Sequence, residues 1–133
     1  MFSHIQVGAR NLNRMIEFYD KVLLHFGLER QPFEPDGGPD GAIWQRPGQR
    51  WPQFVVQLPF NGLPATWGNG WQVSFAAPSQ EAVQLAWQTA MAQGGSDEGK
   101  PGLRPHYNTD YYGAYCRDPE GNKLCFVHAA DLP

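Results

Sequence analysis

The chain repeats itself once at a spacing of 68 residues, and this constrains its fold more than any other feature. His4-Ile5-Gln6-Val7 alternates polar and apolar residues, as a half-buried strand does. Asn11 can cap a helix, and Met15, Phe18, Tyr19, Val22 and Leu23 follow on one helical face. Gly27 supplies the stop. The same signals then return. Trp71-Gln72-Val73-Ser74-Phe75 alternates, and Ser79 is a second cap with Glu81 in the first turn. Val83, Ala86, Trp87, Ala90 and Met91 form the apolar face, and Gly94-Gly95 ends it. His4 maps to Gln72, Met15 to Val83, Tyr19 to Trp87, Val22 to Ala90 and Gly27 to Gly95, in one unbroken register from strand to stop.

Each half continues with strand material. Leu28–Phe33, Ala42–Gln45 and Phe54–Leu58 read as strands, with a turn-rich loop over Pro35–Gly41. In the second half Ser96–Arg104 reads as irregular and partly extended. Tyr111–Arg117 and Lys123–His128 are strands joined by Asp118-Pro119-Glu120-Gly121-Asn122, a strong hairpin signal. The order is β-α-β-β-β, twice. It predicts one domain with a first module at 1–62, a connector at 63–70 and a second module at 71–133.

Bulk properties exclude several classes. At 133 residues and 41% hydrophobic, the chain can build one sizeable core. The net charge of −3 comes with no basic stripe, so nucleic acid is not an expected partner. The apolar runs are short and broken, so no membrane span is expected. No secretory signal is read at the N-terminus, and two cysteines make no disulfide framework. The expected compartment is the cytoplasm.

The pieces Ser3-His4-Ile5-Gln6-Val7, Ile16-Glu17-Phe18-Tyr19-Asp20-Lys21-Val22-Leu23 and Arg117-Asp118-Pro119-Glu120-Gly121-Asn122-Lys123-Leu124 stand in order. Together they resemble the vicinal oxygen chelate superfamily, which holds glyoxalase I, bleomycin-resistance proteins and extradiol dioxygenases. The resemblance covers essentially the whole chain. It implies an α+β fold in which two βαβββ modules form a half-open mixed sheet around a cleft. It also implies modules that pair within one chain or between chains, and a homodimer.

By the same resemblance, the metal-dependent members take ligands from the first and last strands of each module. Here those positions hold His4, Gln57, Gln72 and Cys125, and the 68-residue spacing relates Gln57 to Cys125 as it relates His4 to Gln72. Alternation turns Ile5, Val7, Val73 and Phe75 towards the helices and leaves His4, Gln6, Gln72 and Ser74 on the cleft side. Two neutral amides and a thiol give a hard cation too little negative charge, so no hard divalent metal is expected. In glyoxalase I-type members the last-strand ligand is a glutamate that also transfers protons. Cys125 replaces it, so isomerisation by that route is not expected.

Pairing Arg117 with Leu124 across the hairpin would set Cys116 opposite Cys125 on one face. Three readings follow: two buried reduced thiols, a soft zinc site completed by His4, or a cross-strand disulfide. A binding cleft is suggested by Arg104, His106, Tyr107 and Tyr112, since an arginine among tyrosine hydroxyls suits a carboxylate, phosphate or phenol. The same residues also suit ordinary packing over the sheet. Trp44 and Tyr112, again 68 apart, either wall the cleft or close the core. Trp51, Trp67 and Trp71 surround the module connection and suit an edge or a dimer contact. His25 reads as a helix-end cation or surface residue, and His128 faces away from Cys125.

Two function classes follow. One is a protein that binds a small aromatic or anionic ligand in the cleft. The alternative is a glyoxalase I-like lyase or isomerase, or another enzyme of the superfamily, using Zn, Ni, Mn or Fe with an atypical ligand set. An interaction domain with a vestigial cleft is a third, weaker reading.

Overall fold

A sheet whose strands alternate apolar and polar residues has one face to bury, and amphipathic helices laid between two such sheets bury both. The computed structural model describes residues 1–34 and 37–133 and has this arrangement. The first module runs β1 (His4–Gly8), α1 (Leu12–Leu23), a 3-10 turn (Leu24–Phe26), β2 (Glu29–Gln31), β3 (Gly41–Gln45) and β4 (Gln53–Gln57). The second runs β5 (Val73–Ala76), α2 (Gln80–Ala92), β6 (Ser96–Leu103), β7 (Tyr112–Arg117) and β8 (Lys123–His128). The strands form two four-stranded sheets, ordered β1-β4-β3-β2 and β5-β8-β7-β6. In each sheet the first strand pairs parallel with the last, and the other pairs are antiparallel. The fold is α+β, with two βαβββ modules and open mixed sheets. Pro35 and Asp36, part of the turn-rich loop read from sequence, lie outside the described residues.

Local chemistry sets the helices. The Asn11 side chain accepts a hydrogen bond from the Arg14 amide at 3.1 Å, and Ser79 caps α2 through the Ala82 amide at 3.0 Å. Such caps contribute about 1 kcal/mol each. All five apolar residues read on the α1 face are buried, and Gly27 ends the following turn in left-handed backbone at φ 72°. The stretch read as irregular after α2 is instead the eight-residue β6, with register shifts between Asp97 and Gly99 and between Gly99 and Gly102. It is extended but bulged, because glycines interrupt its side-chain pattern.

The helix-facing residues of both modules form one core. Met15, Phe18, Tyr19 and Val22 of α1 join Val83, Ala86 and Ala90 of α2, with Trp44, Phe54, Val56, Cys116, Leu124 and Phe126 from the strands. Phe54 of the first module meets Phe75 of the second edge to face at 5.2 Å, and Phe26 lies 5.3 Å from Phe126. A polar latch adds to this. Tyr19 donates to Asp118 Oδ2 at 2.7 Å, and Asp118 also accepts from Asn122 Nδ2 at 2.7 Å and from the amides of Glu120 and Asn122. Glu120 in turn accepts from the amides of Arg10 and Asn11 at 2.6 and 2.9 Å. The second module's hairpin therefore grips the corner between β1 and α1.

The repeat keeps its 68-residue spacing through the helices and then loses it. Val55 pairs with Gln6 as Cys125 pairs with Ser74, so Val55 and Cys125 are counterparts, 70 apart. Trp44 pairs with Phe54 as Cys116 pairs with Leu124, so the counterpart of Trp44 is Cys116, 72 apart, and not Tyr112. The path from α2 to β7 is four residues longer than its equivalent, and the 118–122 hairpin is two residues shorter than 46–52.

Candidate functional site

Each sheet has one face towards the helices and one free of them. Because paired strand residues share a face, the helix-free face of the first sheet carries His4, Gln6, Ile43, Gln53, Val55 and Gln57. That of the second carries Ser74, Tyr115, Arg117, Lys123, Cys125 and Val127. His4, Gln6, Gln72 and Ser74 are exposed, and Gln72 donates to Ser74 Oγ at 3.0 Å just ahead of β5.

Several candidates stand elsewhere than expected. Gln57 is paired with Gly8 and Gly41, four residues along the strand from the level of His4, or about 13 Å at strand rise. Its amide donates to the Pro39 carbonyl at 2.8 Å. The residue matching Cys125 is Val55, which is buried. Arg117 pairs with Lys123, one residue away from the expected Leu124, so Cys116 faces Leu124 and Tyr115 faces Cys125. A one-residue slip exchanges the faces of every side chain. Cys116 therefore points into the core and Cys125 to the opposite side, which removes both the shared zinc site and the cross-strand disulfide. Burial and the nearby Asp118 carboxylate push the Cys116 thiol up to about 12.

Of the two readings open for Trp44 and Tyr112, the structure selects the core. Trp44 is fully buried, with its indole N–H donating to Asp20 at 3.0 Å. Tyr112 packs towards α2, where its hydroxyl accepts from Gln84 at 2.8 Å. Both belong to the core side. Trp67 and Trp71 stand at the connection, and Trp51 stands apart from it beside His4. Trp51 stands 6.2 Å from His4, Trp67 covers Gly121 under Arg117, and Trp71 rests on Gly68. His25 stands in the turn that ends α1, as read, but is not fully exposed there. It sits half-buried 2.9 Å from Thr89 Oγ1, and burial lowers its pKa.

Arg104, His106 and Tyr107 come together on the helix-free face of the second sheet. They line a cavity of about 670 Å³ with Gln72, Tyr111, Tyr115 and Lys123, and all of its lining residues fall within 72–132. Tyr111 Oη lies 3.1 Å from Tyr115 Oη and 3.5 Å from Cys125 Sγ. The rings of Tyr107 and Tyr111 are 5.0 Å apart, and the His106 ring lies 4.2 Å from Tyr107, tilted by 46°. Two glycines make room for the phenols. A Cβ on Gly113 would lie 2.9 Å from Tyr111 Cε1, and one on Gly99 would lie 3.1 Å from Tyr115 Cδ2. Burial, with the neighbouring thiol and hydroxyl, raises the pKa of Tyr111, and burial does the same for Tyr115. Both phenols are therefore hydrogen-bond donors at neutral pH.

Arg104 Cζ and Lys123 Nζ each stand 5.7 Å from the Tyr115 ring centroid. Arg104 is held by its Nη2–H, which donates to the Lys100 carbonyl at 2.7 Å. Glu98, also at the cavity, is engaged by Arg117 at 2.6 Å. Sequence reasoning missed Tyr111, Tyr115 and Lys123. The signal was present, since 111, 113 and 115 alternate onto one face once the hairpin is in register.

The residues at the first-strand and last-strand positions do not fit a hard divalent ion. They are one imidazole (His4), one apolar side chain (Val55), one neutral amide (Gln72) and one thiol (Cys125). Among the described residues, no three His, Cys, Asp or Glu side chains come together as a metal-holding group. No helix among them is long and apolar enough to cross a membrane.

A family model for the glyoxalase/bleomycin resistance protein/dioxygenase superfamily matches residues 1–126. Among solved structures, a glyoxalase/bleomycin resistance protein from Albidiferax ferrireducens T118 is 37% identical, with a TM-score of 0.80 over 97% of this chain and 98% of that one. Lactoylglutathione lyase from Agrobacterium tumefaciens is 21% identical, with a TM-score of 0.64 over 97% and 93%. A glyoxylase/bleomycin resistance protein/dioxygenase domain from Frankia is 15% identical, with a TM-score of 0.74 over 97% of both chains. These last two share the fold. No functionally curated protein matches the chain.

Proposed function

The chain belongs to the glyoxalase/bleomycin resistance protein/dioxygenase superfamily, and from that premise we propose that it binds a small aromatic or anionic organic compound without a hard divalent metal. The observation that carries this is the cavity on the second sheet, with its tyrosine floor and two cations. Its volume lies within the range of about 300–1,000 Å³ usual for small-molecule sites. The open, polar face of the first sheet, with His4 and Gln6, suits closure of the site by a second copy, so a homodimer is the expected working form.

A metal-dependent lyase or isomerase needs anionic ligands and a proton-transferring carboxylate. In the last strand this chain offers Cys125 against Tyr111 instead. The test is metal analysis of protein purified without chelator and then supplied with Zn, Ni, Mn and Fe, paired with a thermal-shift ligand screen. The expected result is no stoichiometric ion, and a rise in Tm with an aromatic or anionic compound. One ion per chain, lost in His4→Ala, would overturn the proposal in favour of the enzyme.

A further inference from the structure

We propose that the ligand is an aromatic carboxylate, its ring lying on the Tyr111–Tyr115 shelf and its acid group held by Arg104 and Lys123. This rests on the binding role proposed above and commits it to one chemical class.

Four observations converge. First, neither cation has a carboxylate within ion-pair distance among the described residues. Glu98 is taken by Arg117, and Asp131 lines the cavity without reaching either cation. Each cation stands 5.7 Å from the Tyr115 ring centroid, so this part of the cavity carries two positive charges without a paired carboxylate and is charge-complementary to an acid. Second, the phenols of Tyr111 and Tyr115 lie across the sheet because Gly113 and Gly99 leave the space empty. Together they form a flat aromatic floor with their hydroxyls paired and the Tyr111 hydroxyl set against Cys125, which suits an aryl ring better than a flexible chain.

Third, the fold does not require this chemistry. The first module puts Ile43 where the second has Tyr115, Gln53 for Lys123 and Val55 for Cys125. Those three positions are thus filled there without cation or phenol, so the fold itself does not dictate them. Fourth, Arg104 is pre-organised. Its guanidinium is fastened to the Lys100 carbonyl in the bulged strand, so it loses little freedom on meeting an anion.

Calorimetric titration with 2-naphthoate, 2-naphthamide and decanoate tests this, using the full chain and Lys123→Gln. Arg104 is left in place because its bond to β6 also supports the strand. A charge-assisted contact predicts naphthoate binding at least about tenfold tighter than the neutral amide, with that gap narrowing to about threefold or less in Lys123→Gln. Ring stacking predicts naphthoate about threefold or more tighter than decanoate. Circular dichroism of the variant checks that it is folded. Equal affinity for acid and amide, an unchanged gap in folded Lys123→Gln, or decanoate matching naphthoate would each overturn the aryl-acid assignment while leaving a binding protein. Silence with all three probes would overturn the binding role as well.

Discussion

Replacing Tyr19 with Phe removes one oxygen from a place where water cannot substitute for it. Tyr19 is fully buried, and its hydroxyl donates at 2.7 Å to Asp118, a carboxylate only 3% exposed. The remaining Asp118 partners are all in its own hairpin, so nothing else from the first module replaces the lost donor. A hydrogen bond to an ionised group contributes about 1.5–3 kcal/mol, and the ring itself is retained, so no large cavity forms. The expected loss is about 2 kcal/mol at neutral pH, read by urea denaturation.

The pH dependence of that loss has a definite sign. Burial raises the Asp118 pKa, while the Tyr19 and Asn122 hydrogen bonds pull the other way. A carboxyl raised in the folded state binds its proton more readily there than in the unfolded chain. It therefore adds stability as pH falls from the folded-state pKa towards the unfolded one. Removing the tyrosine donor raises the folded-state pKa further, so the variant gains more on acidification than the parent. The two stability curves should converge, with the deficit shrinking to about 1 kcal/mol once Asp118 is protonated and the bond is neutral. A deficit below about 0.5 kcal/mol at pH 7, or one that grows on acidification, would refute this account of the latch.

Other expectations are simpler. Trp44→Ala should cost about 3–5 kcal/mol, because the indole is fully buried between β3 and α1; a loss under about 1 kcal/mol in denaturant titration would return Trp44 to an open surface. Cys116, buried and with its thiol pushed up to about 12, should not react with iodoacetamide at pH 8 in the native state but should do so in urea, as mass spectrometry would show. His25 should titrate below the ordinary histidine value by NMR, and its lowered pKa should make native stability fall as pH drops through the unfolded value of about 6.5. Light scattering should give twice the 14.9 kDa chain mass if a second copy closes the site.

The fold was legible because its signals are local. Asn11 and Ser79 cap their helices as read, and the apolar spacing from Met15 to Leu23 marks the buried face. The site was less so, because it depends on register. Extending the 68-residue spacing through loops of unequal length selected Gln57 where Val55 belongs. Pairing Arg117 with Leu124 put Cys116 on the face of Cys125, whereas the observed register turns it to the core. The shelf itself also depends on two glycines. Gly113 and Gly99 matter for what they leave empty, and that appears only when a ring from elsewhere lies across them.

Chemical-shift mapping of the labelled chain with a bound aromatic acid tests the central claim most directly. Perturbations should gather at Arg104, Tyr111, Tyr115, Lys123 and Cys125, with Trp44, Tyr112 and Cys116 unmoved. Perturbations centred on Trp44, Tyr112 and Cys116 instead would contradict it, since the ligand would then be entering between sheet and helices.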